Sequence, residues 1–181
     1  MTTRENGRAF LWLLLAMAIV IAAPSAAQER RVKPLTAQDH AEIQQLYARY
    51  HWATDAGDSK MWSDTFSVDG EYSNDGPTPH TKGRDNLLKR GVSTVRSGRP
   101  RGLRFTTNIR IEPTPEGARG GSYMLNVTPG GPGKPTTVMA AVYEDVLVKT
   151  PEGWRFKSRR TYLKDPGMAP ETILHAEAAA K

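Results

Sequence analysis

The chain has no cysteine among its 181 residues. A protein without thiols forms no disulfide, builds no cysteine-ligated zinc centre and offers no thiol nucleophile, so its stability must come from a packed core. Histidine is also scarce, and no two of the four histidines are four residues apart, the spacing at which a helix presents two metal ligands on one face. We therefore expect no metal and no other cofactor.

Lys and Arg outnumber Asp and Glu by 25 to 19, which gives a net charge of +6 and a pI near 9.7. Proteins that bind nucleic acids concentrate such charge on one face or along one helix. Here the basic residues are spread along the chain, and the dense groups are the segment 96–104 and the pair Arg159-Arg160. We therefore expect no nucleic-acid partner.

One long apolar run, residues 9–23, lies close to the N-terminus. Arg4 and Arg8 precede it and the small residues Ser25-Ala26-Ala27 come after it, an order typical of a secretory signal peptide. The run is short for a membrane span, which needs roughly 20 apolar residues. The sequence predicts a signal peptide at 1–27 that is cleaved after its last residue, with an uncleaved anchor as the alternative. The mature protein is then periplasmic or secreted, without a stable membrane anchor.

The first part of the mature chain is predicted to be helical. After a polar linker at 28–35, apolar residues recur at the spacing of a helix with one buried face, at Ile43, Leu46, Tyr47 and Tyr50. Asp55-Ala56-Gly57-Asp58 ends this helix, because Gly suits the left-handed position after a C-terminus and Asp58 can cap the next helix. Trp62 and Phe66 lie four residues apart, on one face of a short second helix. A third helix is expected at 84–94.

The second half alternates apolar and polar residues over four segments separated by turns with Gly and Pro, at 104–112, 118–128, 136–149 and 154–163. These segments predict an antiparallel sheet and, together with the helical first half, an α+β fold. In the first strand, Phe105 and Ile109 lie on one side and Arg104 and Asn108 on the other. Strict alternation places Arg104 on the solvent side, whereas a β-bulge or a pocket lined by the polar side reverses this.

Several short motifs occur in a characteristic order. Tyr50 is followed by Asp55-x-Gly57-Asp58 and then by W-x-x-x-F-x-x-D-G, which starts at Trp62. Later come G-R-D, A-x-Y-x-D-x-L-V and G-W-R-F-x-x-R. Over roughly residues 36–165 this order resembles the SnoaL-like domain of the nuclear-transport-factor-2-like superfamily, with scytalone dehydratase and ketosteroid isomerase as relatives. The resemblance implies a cone-shaped α+β barrel, in which a curved antiparallel sheet wraps around the N-terminal helices. Residues 166–181, beyond the resemblance, are expected to form a C-terminal tail.

Enzymes of this family use a pocket between sheet and helices for proton transfer on hydrophobic substrates, without metal or cofactor. Such chemistry needs an acid or base of suitable pKa and a donor for a developing oxyanion. Tyr50 matches the tyrosine that donates to an enolate oxygen in ketosteroid isomerase-like sequences. Alternatively its ring lies in the core and its hydroxyl at the pocket rim. The isomerase base falls near Asn74, which cannot take a proton, and Asp75 is adjacent to it.

Asp58 matches an aspartate that orients a catalytic histidine in scytalone dehydratase. The two dehydratase histidines fall near Arg104 and Pro129 of this chain, and neither position is histidine. As an alternative, Asp55 and Asp58 are a helix-end carboxylate and a cap. The candidate catalytic residues are thus Tyr50, Asp55 and Asp58, and the candidate substrate-binding residues are Arg104, Asn108, Trp62 and Tyr123.

Two functions fit these observations. The first is a secreted small-molecule enzyme, a cofactor-free isomerase, cyclase or dehydratase that acts by proton transfer on a hydrophobic substrate. The second is a non-catalytic module of the same fold that binds a ligand or dimerises. The sequence leaves open whether the protein is an enzyme. In either case we expect a hydrophobic small molecule as ligand, and a homodimer.

Overall fold

The structure, a computed structural model, describes residues 32–76, 80–98 and 101–163. The predicted signal peptide at 1–27 and the predicted tail at 166–181 lie outside the described residues, so both stay predictions. Within the described ranges, no helix is both long enough and apolar enough to cross a membrane.

Helix α1, Ala37–Ala56, begins the fold. The Thr36 hydroxyl accepts a hydrogen bond from the backbone N–H of Asp39, and the Asp39 carboxylate accepts one from the backbone N–H of Thr36. Gly57 ends the helix in the left-handed conformation, with a φ of 73°, which costs little only for a residue without a side chain. Both ends lie where the sequence predicts them.

In chain order, helix α2, Ser59–Asp64, is followed by strand β1, Phe66–Asn74. Helix α3, Arg84–Arg96, comes later. The prediction that Phe66 belongs to the second helix is wrong, because Phe66 is the first residue of β1. The helix stops at this point because the chain joins the sheet. The backbone oxygen of Thr65 accepts from the backbone N–H of Phe156 at 2.9 Å.

Six strands form one curved sheet in the order β2-β1-β6-β5-β4-β3. After β1, the strands are β2 Thr81–Lys82, β3 Leu103–Thr114, β4 Gly117–Thr128, β5 Thr137–Thr150 and β6 Gly153–Tyr162. Neighbouring strands run antiparallel except for β1 and β6, which are parallel, so the predicted antiparallel sheet is corrected at this pair. The sheet is not closed, so the fold is an open cone.

Helix α1 packs across one side of this sheet, which we call the inner face. The core between them is built from aromatic and aliphatic side chains of α1, α2, β1, β5 and β6, chiefly Ile43, Leu46, Tyr47, Trp62, Phe66, Leu147, Trp154 and Phe156. The buried side of α1 is the one predicted from its helical spacing. Burial of this kind contributes about 1.5–3 kcal/mol for each large apolar side chain.

A β-bulge in β3 changes which side of the strand faces inwards. The pairing of β3 with β4 shifts register around Asn108, whose φ is 54°, a left-handed conformation that asparagine tolerates better than most residues. Before the bulge, Phe105 is 50% exposed while Arg104 is partly buried. Beyond it, Ile111 packs against the core. The polar side at the start of β3 therefore faces the interior. Of the two orientations that the sequence leaves open for Arg104, this is the one that a β-bulge produces.

Candidate ligand site on the inner face

Tyr50, the first predicted catalytic residue, lies on the inner side of α1 with 5% of its surface exposed. Its ring centroid is 5.2 Å from that of His51, 5.9 Å from that of Trp62 and 6.2 Å from that of Tyr143. Burial, and after it the neighbouring Tyr72, raises the pKa of Tyr50 to about 12. The phenol therefore keeps its proton at neutral pH and can donate a hydrogen bond.

His51 lies beside Tyr50 and is also buried, with 5% of its surface exposed. Burial, and after it the positive charges of Arg159 and Arg104, lowers the pKa of this imidazole to about 3. It is therefore neutral at physiological pH, and neither ring nitrogen has a hydrogen-bond partner among the residues that the structure describes. His51 was not among the candidates chosen from sequence. The sequence feature that could have identified His51 as buried is its position four residues after Tyr47, on the same helix face.

Among the other buried polar atoms that lack a hydrogen-bond partner within the described ranges are Oγ1 of Thr106, Oγ of Ser122 and Oδ1 of Asn126. Ser122 lies opposite the buried Tyr143 in the sheet ladder, and Asn126 lies opposite Arg104. Because directly opposed residues point to the same side of a sheet, these side chains share the inner face. We call Tyr50, His51, Thr106, Ser122, Asn126 and Tyr143 the inner polar cluster. Buried polar groups are normally bonded to protein, water or ligand, so these atoms have bonding capacity that the described residues do not use.

A buried ion pair that was not expected from sequence lies next to this cluster. Arg159 donates from Nε to Oδ1 of Asp145 at 2.7 Å and from Nη2 to Oδ2 at 2.8 Å. The Tyr47 hydroxyl also donates to Oδ2 of Asp145, at 2.5 Å. Arg159 and Asp145 are 1% and 2% exposed. In the sequence, the adjacent Arg159 and Arg160 suggest two exposed side chains. In the structure, Arg159 lies directly opposite Asp145 in the ladder, and the two side chains are buried together.

The Arg159 guanidinium is enclosed by aromatic rings. Its carbon lies 4.2 Å from the ring centroids of both Tyr50 and Tyr143, and 3.9 Å from that of Phe156, distances at which a cation is attracted to ring faces. Its third nitrogen, Nη1, is buried and has no hydrogen-bond partner in the described part of the chain. The inner polar cluster therefore includes a positively charged donor on its border.

Asp55 and Arg104, both predicted site residues, are brought together at the end of α1. The backbone N–H of Arg104 donates to Oδ2 of Asp55 at 3.0 Å, and its Nη1 donates to Oδ1. Both side chains are largely buried. Arg101 lies beside them, since a side chain on Gly57 would overlap its guanidinium. We call Arg101 and Arg104, which both lie at the end of α1, the arginine rim.

Of the remaining predicted site residues, only Trp62 lies next to the inner polar cluster in the described part of the chain. Trp62 is buried and packs against Tyr50. Asp58 is exposed and accepts from the backbone N–H of Met61 at 2.8 Å, so it serves as the cap of α2. Asn108 lies exposed at the bulge, and Tyr123 is 43% exposed on the side of the sheet away from α1.

Neither residue at the position of the isomerase base extends into the cluster. Oδ1 of Asn74 accepts from the backbone N–H of Gly76 at 3.0 Å. Oδ1 of Asp75 accepts from the backbone N–H of Leu163 at 2.8 Å. Both side chains thus stabilise the loop after β1 and the end of β6.

Two open concavities of about 340 and 890 Å³ lie on the other side of the sheet, the outer face. The smaller is lined by charged side chains of β3 to β6, among them Arg110, Glu112, Glu144 and Arg160, and neither is lined by Tyr50 or His51. Across the described ranges, no three potential metal ligands come together as a metal site requires.

A model of the SnoaL-like domain matches residues 35–160. The chain belongs to this family. Among solved structures, a protein similar to this SnoaL-like chain comes from Catenulispora acidiphila and was solved in complex with S-DNPA. It has 25% identity and a TM-score of 0.63 over 74% of this chain and 99% of that one. No curated protein matches the chain.

Two less similar structures support the fold of this SnoaL-like chain. An NTF2-like protein with a cystatin-like fold from Novosphingobium aromaticivorans has 23% identity and a TM-score of 0.62, over 76% of this chain and 89% of that one. A candidate scytalone dehydratase from the same organism has 22% identity and a TM-score of 0.56, over 68% and 83%. At these identities the likeness concerns the fold. The family model over residues 35–160 confirms the predicted SnoaL-like family.

Proposed function

We propose that this SnoaL-like protein is exported and binds a small hydrophobic molecule at the inner polar cluster. We also propose that it acts there as a cofactor-free isomerase, cyclase or dehydratase by proton transfer. The observation that carries the proposal is the group of buried polar atoms without protein partners, within the described ranges, around Tyr50 and His51. A site of this kind, with apolar walls and a few convergent polar groups, is typical of small-molecule binding.

Two neighbouring side chains supply the chemistry. The neutral Tyr50 hydroxyl donates to a substrate oxygen, and this bond strengthens as negative charge develops on that oxygen. One nitrogen of the neutral His51 takes a proton from substrate carbon. Burial and two arginines disfavour imidazolium, so His51 passes the proton readily to a second substrate atom, whereas proton uptake requires a bound substrate that stabilises the imidazolium. The relative solved in complex with S-DNPA supports a ligand site in this fold.

The test is native mass spectrometry of the protein purified from the periplasm or medium of its own cells. We expect a retained small molecule, and we expect its occupancy to fall when His51 is changed to Leu. Tyr123→Phe is the matched control, because Tyr123 lies on the outer face. Equal retention by His51→Leu and wild type would place the ligand elsewhere. N-terminal sequencing of the same material should begin at Gln28, and a start at Met1 would contradict export with cleavage.

We infer homodimerisation as a second role from the outer face. Exposed apolar side chains of β3, β4 and β5 form a continuous strip there, Leu103, Phe105, Tyr123, Leu125 and Val138. Phe105 lies directly opposite Leu125 in the ladder. Charged side chains of both signs, such as Glu112 and Arg160, line a concavity on the same face, and a surface of mixed sign can pair with its own copy around a two-fold axis.

Light scattering after gel filtration tests this role. Wild type should elute with the mass of a dimer, and Leu125→Lys should elute as a monomer because it buries a charge in the contact. Val68→Lys, on an exposed valine of β1 outside the strip, should stay dimeric. A monomeric wild type would rule out the dimer without affecting the inner site.

A further inference from the structure

Arg159 has more bonding capacity than the fold uses. Two of its three nitrogens are occupied by Asp145, while Nη1 is buried without a partner among the described residues. An unpaired donor on a buried charged group is costly, and its strongest partner is an ionised oxygen. The fold therefore presents a charged donor to whatever occupies the inner polar cluster.

Two positively charged groups act on the inner polar cluster. His51 and Arg159 both lie against the rings of Tyr50 and Tyr143. Arg159 and Arg104 both disfavour the charged form of His51, although each arginine is paired with a carboxylate. The Tyr47 hydroxyl disperses part of the charge of Asp145. A negative group on the ligand would thus be attracted, and a positive one repelled.

The arginine rim adds a route for such a ligand. Arg101 lies against Gly57 and Arg104 bonds to Asp55, so two guanidinium groups lie together at the end of α1. Basic residues beside a binding site attract anions from solution and raise the association rate. Arg101 and Arg104 are therefore placed where they can attract an anionic ligand.

We propose that the ligand of the inner polar cluster is a hydrophobic carboxylate whose carboxylate oxygen is received by Nη1 of Arg159. This inference rests on the proposed function and specifies its ligand class. The bound anion also offsets the positive charges that act on His51, so the imidazole becomes a better proton acceptor when the ligand is present. The substrate then contributes to its own proton transfer, and the empty site stays inactive.

The first test compares two ligands of the same size and shape. The 19F signals of 4-fluorobenzoate and 4-fluorobenzamide are followed at pH 7 as the exported protein is added. We expect the benzoate to bind about tenfold or more tightly than the amide, since only the benzoate is charged. Equal affinities would overturn the carboxylate inference and leave the proposed site standing. Binding of neither compound would count against the site itself, which would then hold only water.

Matched variants locate the effect. Arg159→Lys keeps the charge beside Asp145 but removes Nη1, so the preference for benzoate should fall below about threefold. Arg160→Lys changes the neighbouring, exposed arginine and should keep the preference. An unchanged preference in Arg159→Lys would overturn the assignment of Nη1.

A measurement on the wild-type protein covers the case in which Arg159→Lys does not fold. The imidazole signals of His51 are titrated by NMR with and without 4-fluorobenzoate. The pKa of His51 should rise when benzoate is bound, because the anion opposes Arg159 and Arg104. If benzoate binds and the titration of His51 stays unchanged, the benzoate is bound elsewhere on the molecule. That result would overturn the proposal.

Discussion

The hydroxyl of Tyr47 lies 2.5 Å from Oδ2 of Asp145, across 98 residues of sequence. Tyr47 belongs to the helical half of the fold and Asp145 to the middle of the sheet. Burial, and after it the charge of Asp145, raises the pKa of Tyr47 well above its usual value, so the phenol remains a donor. This bond connects the two halves and orients the carboxylate that holds Arg159.

We expect Tyr47→Phe to destabilise the protein by about 1–3 kcal/mol. The change removes one donor to a buried carboxylate and leaves that lone pair unsatisfied. Urea unfolding followed by tryptophan fluorescence measures the difference. Tyr162→Phe removes a hydroxyl that donates to the half-buried Glu144 and should cost clearly less. Equal losses in the two variants would mean that the Tyr47 bond has no special role.

Gly120→Ala should also destabilise the protein, by about 1–3 kcal/mol. Gly120 lies opposite Asp145 in the sheet, and a methyl group on it would overlap the Tyr47 hydroxyl. Gly131→Ala is the control, because no atom lies near enough to meet the added methyl group, and its effect should stay within about 0.5 kcal/mol. A fully stable Gly120→Ala protein would show that Tyr47 can move without cost.

Tyr50→Phe separates catalysis from binding. If turnover exists, deleting this oxyanion donor should slow it by about 10²- to 10³-fold, whereas affinity for a ground-state analogue should change by about 1 kcal/mol or less. Steady-state kinetics and ligand titration on the same variant give the two values. Tyr123→Phe should alter neither. Turnover at the wild-type rate in Tyr50→Phe would remove Tyr50 from the mechanism.

His51 should make the protein less stable in mild acid. Its pKa is lowered to about 3 in the folded state, against about 6.5 in an unfolded chain. Between these values the unfolded chain binds the additional proton, so this contribution to stability is complete above about pH 6.5 and declines as the pH falls, by at most about 1.4 kcal/mol per unit.

Unfolding free energies at pH 7, 5 and 4 test this expectation. His51→Gln should lose less stability over that range than wild type, since glutamine does not titrate. His80→Gln, at an exposed histidine that faces Glu71, serves as the control and should behave like wild type. Parallel curves for wild type and His51→Gln would contradict the buried neutral imidazole.

The helix α1, the strand segments and the family could be predicted from sequence because each depends on local patterns. The spacing of Ile43, Leu46 and Tyr50 reports one buried face, and the Gly57 break ends the helix through its own φ. Phe66 was misassigned because its distance from Trp62 fits a helix equally well. Only pairing with Phe156, far away in sequence, shows that it begins a strand.

The candidate site was less predictable because it depends on long-range partners. Arg104 faces inwards towards Asp55 in a strand that contains a bulge at Asn108, and strict alternation does not include a bulge. The buried Arg159 was hidden by its neighbour Arg160, since two adjacent arginines suggest a solvated surface. Nothing in the local sequence shows that Asp145 would bury one of them.

The bulge at Asn108 has a further consequence for solubility. Strand β3 lies at the end of the sheet order, and a straight terminal strand offers a row of unpaired backbone groups to which another chain can add. The irregular backbone at Asn108 interrupts this row, and Pro113 removes one N–H further along. The residue that turns Arg104 inwards thus also limits uncontrolled strand-to-strand assembly at this margin of the sheet.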